Sequence, residues 1–231
     1  MLRVIHLEPH HVQRAAAVLS DAFGGDATYS WGRALGRDPD AFRKYVSGAY
    51  VPGLPAAFPR SLVAVDAAAG AAAAAAAADA GGGNVLGVLA LEDFFPVPDA
   101  TPVAEVAHEM QCIRALVHAG DAMFLDALAA MGAPPTLRRG RFCYFAFLAT
   151  DPSARRRGVA RALVTQAITQ STADGFEWAF ALCTSPQSAE LFRASGFQCF
   201  GAVVYRNFVY RGATPFASIP DQMSVMALRL G

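Results

Sequence analysis

Between Phe147 and Arg161 the chain reads FLATDPSARRRGVAR, an apolar run that breaks at Asp151-Pro152 and restarts behind three arginines and a glycine. Residues of these types in this order suit one task, holding a di-anion. Val159, Ala160, Leu163, Val164, Ala167 and Ile168 recur at helical spacing, which predicts a helix starting at Gly158. Free N–H groups and the positive end of the helix dipole both point at that junction, which suits a phosphate or pyrophosphate. Gly158 would let the ligand reach the main chain, because any Cβ there stands in its way. Arg155, Arg156, Arg157 and Arg161 add charge and forked donors.

A basic triplet on its own is more often a solvated patch or a nucleic-acid contact. The chain carries 19 Lys and Arg against 19 Asp and Glu, so there is no basic surplus to neutralise a phosphate backbone, and a nucleic-acid partner is not expected. With 231 residues, 54% apolar and 16% charged, the chain can bury a substantial core. The longest apolar run, 67–78, is alanine broken by Gly70 and too weakly hydrophobic to span a bilayer, so no membrane partner is expected. The first residues, MLRVIHLE, lack the long h-region of a secretory signal, which makes a cytoplasmic location the expectation. Cys112, Cys143, Cys183 and Cys199 have no close pairing and read as reduced core thiols. His108 and Cys112 share a helical face, but two ligands without partners make no metal site, and no metal is expected.

The elements that must position the arginine-glycine junction follow from periodicity. Phe142 to Ala149 is apolar on both faces, as in a strand buried between two layers. Strands are also predicted at 3–7, 61–66, 85–91, 179–183, 198–205 and 224–230, and helices at 9–23, 40–50 and 185–194. An Ala/Gly-rich low-complexity insertion fills 67–84, and a helical insertion at 101–131, read as 101–119 and 121–131, precedes strand 4. These elements describe one α/β (α+β) domain over 1–231, a mixed sheet of about seven strands with helices on both faces.

The segment 155–160, RRRGVA, resembles the acetyl-CoA signature of the GNAT acetyltransferase superfamily: Gln or Arg, two residues, Gly, one residue, then Gly or Ala. Leu148-Ala149-Thr150-Asp151-Pro152 before it is similar to that family's fourth strand and turn. The strand 179–183, the helix 185–194 and Ser195-Gly196-Phe197 follow at the expected distance, and the likeness extends over roughly 62–230, nearest to puromycin-type and related small-molecule acetyltransferases. It implies a mostly antiparallel GNAT-like sheet, acetyl-CoA as co-substrate, and acetyl transfer to a primary amine of a small molecule by direct attack in a ternary complex. Main-chain N–H groups around Leu148, Ala149 and Thr150 would then hold the cofactor and the developing oxyanion. Val159 and Ala160 would complete the pyrophosphate cradle. Ser185 takes the place of an asparagine that faces the pantetheine arm, with Ser188 beside it. Many relatives dimerise, so a homodimer is compatible with the likeness.

An acceptor alkylammonium of pKa about 10.4 is neutral only about once in 10^3.4 at pH 7, a deficit of about 4.6 kcal/mol that a base, a water chain or a desolvating pocket must reduce. Where histone-modifying relatives carry a glutamate on strand 4, this chain has Tyr144, a poor base that could order water or simply pack. Glu92 and Asp93, at the end of the neighbouring strand, are the nearest carboxylates by topology, with a solvated turn as the alternative. Phe192 stands where many relatives have a proton-donating tyrosine, which by that likeness counts it among the cofactor-binding residues and leaves Ser185 and Ser188 as nearby hydroxyls. A non-catalytic acyl-CoA-binding module, or a protein N-acetyltransferase, is the alternative reading. The insertion at 101–131 would tend to close the acceptor groove against an extended peptide.

Overall fold

The computed structural model describes residues 1–25, 31–36, 59–66, 85–95, 108–132 and 138–231. Strands β1 (Leu2–His6), β2 (Leu62–Asp66), β3 (Val85–Asp93), β4 (Phe142–Thr150), β5 (Trp178–Cys183), β6 (Gln198–Val204) and β7 (Gln222–Arg229) form one sheet in the order β1-β2-β3-β4-β5-β7-β6. Every pairing is antiparallel except β4 with β5, so the sheet is mixed and mostly antiparallel, as expected.

Strand alternation sorts the helices onto two faces. Helix α1 (Val12–Gly25) follows a 3-10 turn at Pro9–His11 and lays Val12, Ala15, Ala16, Val18 and Leu19 against Val63, Val85, Val88, Ala90 and Ala149. A short helix α2 (Trp31–Ala34) comes next, and helix α3 (His108–Ala130) covers the other half of that face, with Phe124 and Leu128 on Phe142, Phe180, Val225 and Ala227. Helices α4 (Val159–Ala173) and α5 (Pro186–Ala194) occupy the opposite face, where Leu163, Val164, Ala167 and Phe192 meet Leu89, Leu91, Cys143 and Phe145.

Most element boundaries differ from the sequence reading by one to three residues, and two differences bear on the site. Strand β3 runs on to Asp93, because Glu92 and Asp93 pair with Tyr144 and Cys143 of β4 and thus lie in the ladder, not in a turn. The insertion helix does not break at Gly120. A Cβ there would come 2.8 Å from Leu182 Cδ2 and 2.9 Å from Met223 Cε, so packing against the sheet overrides the poor helix propensity of glycine. The expected helix at 40–50, the Ala/Gly insertion at 67–84 and residues 101–107 lie outside the described residues.

Gly87 seats α4 on the sheet: a Cβ at this position would fall 2.6 Å from Val159 Cγ1 and 3.0 Å from the Ala149 carbonyl. At an uncrowded strand position glycine is less stable than alanine by roughly 0.5–1 kcal/mol. Gly87→Ala should instead lower stability by roughly 1–3 kcal/mol, read from the midpoint of a urea titration, because neither a β-branched side chain nor a strand carbonyl can move aside.

Candidate active site

At the end of β4 the chain is fastened before it turns. The Asp151 N–H donates to the Leu86 carbonyl at 2.9 Å. Its carboxylate accepts from the Ser153 amide at 2.9 Å and the Ser153 hydroxyl at 2.5 Å, and pairs with Arg14 of α1. Those Ser153 hydrogen bonds, with Arg14 adding to them, hold the Asp151 carboxyl below the usual aspartate range. Pro152–Ala154 make one 3-10 turn, after which Arg155, Arg156 and Arg157 run through solvent with Arg156 at φ +61° and Gly158 at φ +79°.

Gly158 is the N-cap of α4 and supplies no side-chain cap. The first helical bond is from the Ala162 amide to the Gly158 carbonyl, 3.0 Å, so the amides of residues 158–161 have no acceptor within the helix. Nothing lies within 4 Å of where a Gly158 Cβ would stand. The cradle expected for a pyrophosphate is thus present as an open, uncapped helix start ringed by exposed Arg155, Arg156 and Arg161. Arg157 differs: its guanidinium lies 3.6 Å from the Asp66 carboxylate at the end of β2.

Beside that helix start the sheet opens. β4 pairs with β5 only through Phe142, Cys143 and Tyr144, opposite Trp178, Ala179 and Phe180. A bulge follows in β4, since Phe145 faces Leu91 and Phe147 faces Ala90 with Ala146 between them. From there β4 stays with β3 while β5 stays with β7. Leu148, Ala149 and Thr150 therefore line an unladdered strand edge. That edge leads from the parting of the strands to the start of α4.

The parting is walled by rings and overlooked by carboxylates. Tyr144 stacks on Phe180 with centroids 4.7 Å apart, Phe94 meets both edge-on, and Phe124 of α3 stacks on Phe180 at 4.2 Å. Glu92 faces Tyr144 across the ladder, and burial, with Asp93 adding to it, pushes its carboxyl upward. Asp121, one turn before Phe124, is pushed to about 7, first by burial and then by Glu92. Its Oδ1 is buried without a hydrogen-bond partner. Asp93, the last residue of β3, accepts the Gly140 amide at 2.9 Å.

Other sequence candidates fall elsewhere. Ser185 and Ser188 form a closed capping box on α5: the Ser188 amide donates to Ser185 Oγ at 3.3 Å, and the Ser188 hydroxyl donates to the Ser185 carbonyl at 2.8 Å. Their polar groups serve the helix end. Phe192 is 2% exposed and packs edge-on to Phe197 at 4.9 Å and Phe145 at 6.1 Å, so it is a core ring rather than a lining residue of the gap. Burial drives the thiols of Cys143 and Cys183 up to about 12, which makes them inert at neutral pH. Among the described residues no group of three potential metal ligands exists, and no helix is long and apolar enough to cross a membrane. Asp121 went unnoticed in the sequence because it sits among the apolar residues of an insertion, although its spacing of three from Phe124 was a usable sign.

Residues 98–210 match the family model of the acetyltransferase (GNAT) domain. Solved structures with the same fold include the C-terminal condensation domain of Ebony in complex with beta-alanyl-dopamine, 13% identical, with TM-score 0.75 and 99% of each chain covered. Arylalkylamine N-acetyltransferase 2 from Aedes aegypti is 13% identical, TM-score 0.70, over 100% of this chain and 99% of that one. A Drosophila melanogaster polyamine N-acetyltransferase that catalyses formation of N-acetylagmatine is 16% identical, TM-score 0.70, over 100% of both.

Asp151 fastens the turn only when ionised. Its folded-state pKa is depressed, so its contribution is complete above the ordinary aspartate pKa and is lost as pH falls through the folded value. Asp151→Asn should cost roughly 1.5–3 kcal/mol at pH 7, and thermal melts taken downward from pH 5 should show the gap to the unmodified protein closing.

Proposed function

The chain belongs to the GNAT acetyltransferase superfamily, and from that premise we propose that it transfers an acetyl group from acetyl-CoA to a primary amine of a small molecule by direct attack in a ternary complex. The observation that carries this reading is the juxtaposition of an uncapped helix start at Gly158 with a strand edge that loses its partner after Tyr144. The amides of residues 158–161, with Arg155, Arg156 and Arg161, would take the pyrophosphate. The free edge of β4 at Leu148, Ala149 and Thr150 would take the pantetheine arm and place the thioester carbonyl in the gap, where main-chain N–H groups can meet the developing oxyanion. Val159 and Ala160 line the cradle as backbone, their side chains facing the sheet or the helix flank.

The acceptor would enter from the face covered by α3, where Tyr144, Phe94 and Phe180 present rings and Glu92 a carboxylate. That lining fits a small amine with an aromatic or alkyl body, and α3 crosses the space an extended peptide would need. Arylalkylamine and polyamine acetyltransferases among the structural neighbours agree with this choice. No acid is needed for the departing thiolate, since a thiol of pKa about 8.5 leaves as its anion near neutral pH. A buried Phe192 in place of a tyrosine is therefore compatible with turnover. Tyr144 orients the acceptor by stacking, and the serine pair at the start of α5 caps that helix and takes no part in the proton transfers. We assign these roles to one domain over residues 1–231, working in the cytoplasm.

Thermal shift with acetyl-CoA, followed by thiol release over arylalkylamines, polyamines, amino sugars and amino acids, tests the reading. Stabilisation with turnover on one amine class is expected. Stabilisation without turnover on any class would leave an acyl-CoA-binding module instead. Gly158→Val adds a Cβ where the ligand must approach and forces a β-branched residue to φ +79°. It should weaken acetyl-CoA binding by calorimetry at least about tenfold, about 1.4 kcal/mol, with an unchanged far-ultraviolet spectrum.

A further inference from the structure

Helix α3 is fixed over the strand parting by contacts on three strands. Gly120 lies against Leu182 of β5 and Met223 of β7, Met123 against Gly201 of β6, and Phe124 stacks on Phe180 of β5. Gly120 and Phe124 therefore touch β5 at residues 182 and 180, and Asp121 sits between them along α3. Phe180 is the last residue of β5 that pairs with β4, so Asp121 stands over the place where the two strands leave each other. Glu92 reaches the same place from β3, because it is opposite Tyr144, the last paired residue of β4. One oxygen of Asp121, Oδ1, is buried with no donor to satisfy it, while the residue as a whole keeps partial exposure.

We propose that Asp121 is the catalytic base of the reaction, accepting the proton of the acceptor ammonium at its carboxylate, with Glu92 as the positioning residue that acts on it as a neighbouring negative charge. The proposal rests on the acetyl-transfer reading above. In the step, an N–H bond of the ammonium breaks and an O–H bond to Asp121 forms, and the freed nitrogen lone pair attacks the thioester carbonyl. The C–S bond then breaks with its electron pair on sulfur, the second nitrogen proton passes to that thiolate, and Asp121 returns its proton to solvent. One proton is released per acetyl group moved.

The charged surroundings of Asp121 can be named from each element packed on it. β3 brings Glu92 and Asp93, β4 the phenol of Tyr144, and α3 itself His118 and Arg114 on the preceding turns. Along β5, β6 and β7 the ionisable groups are Cys183, Cys199 and, at the far end opposite Trp178, Arg229. Burial and Glu92 both favour the protonated form of Asp121, so the base is active on the alkaline side of about 7.

The test combines pH-rate profiles with a 13C-carboxyl titration of aspartate-labelled protein, which needs no turnover. In the unmodified protein kcat/KM should rise through pH about 7, and one aspartate carboxyl should titrate over the same range. Asp121→Asn should lower kcat by about 10²-fold or more, abolish that limb and that resonance, and leave acetyl-CoA affinity unchanged. Asp121→Glu should recover part of the rate. Glu92→Gln should move both limb and titration to lower pH, because it removes a negative neighbour. Turnover without an elevated aspartate titration, or a limb that survives Asp121→Asn, would overturn the role of Asp121 alone. An elevated titration in a protein that acetylates no amine would overturn the acetyl-transfer reading and the base with it.

Discussion

After Tyr144 and Phe180, strands β4 and β5 give up a shared ladder, and the rest of the site depends on that parting. Backbone amides and carbonyls away from water must find partners, so an unpaired strand edge inside a sheet is a costly feature unless something else meets it. Here each strand is secured on its other side. β4 keeps β3 as far as Thr150, and β5 keeps β7 as far as Cys183. The bulge at Ala146 lets β4 bend out without leaving β3, and the Asp151 knot with Ser153 and Arg14 stops it where α4 begins. The opening is thus held from both ends, which is what a site that must receive an extended thioester arm requires.

Charge is arranged unequally around that opening. One end offers a helix dipole and arginines, the other Asp121 and Glu92, and the equal totals of 19 cationic and 19 anionic residues conceal the separation. The arithmetic of proton transfer shows why burial of the carboxylates matters. Moving a proton from an ammonium of pKa about 10.4 to an ordinary aspartate of about 3.9 is uphill by about 9 kcal/mol, whereas a carboxylate near 7 reduces that to about 5 kcal/mol. A base raised much further would be protonated at neutral pH. Burying Asp121 of α3 beside Glu92 sets it close to that compromise.

Much of this was readable from the chain, and the parts that were not share a cause. The arginine-glycine junction, the strand before it and the helix after it follow from local pattern, because apolar periodicity and a left-handed glycine are local properties. The mostly antiparallel character of the sheet came through the family likeness. Asp121 did not emerge, since its meaning comes from a neighbour 29 positions away on β3, brought close by the sheet and by a glycine that lets α3 approach. The same holds for Phe192, where a motif position suggested a cofactor contact and the packing of Phe145 and Phe197 decided for the core. Ser185 took the place of a pantetheine-facing asparagine in the family likeness, but a serine at a helix start more commonly caps it, and its partner Ser188, three residues on, closes the cap.

The two helices on the far face make the functional contrast within one molecule. α5 begins with a serine that satisfies an amide, a second serine that answers it, and a proline at the first helical position, so nothing is left for a ligand to do. α4 begins with a glycine that has no side chain to offer, stands two positions after Arg156 in a left-handed conformation, and leaves its first amides facing open space. Glycine at such an N-cap costs only about a few tenths of a kcal/mol relative to a serine or aspartate at the same place. A residue with a capping side chain would also fill the space over those amides. The chain keeps the cost at α4, where an anion can meet the amides in place of a side chain, and removes it at α5.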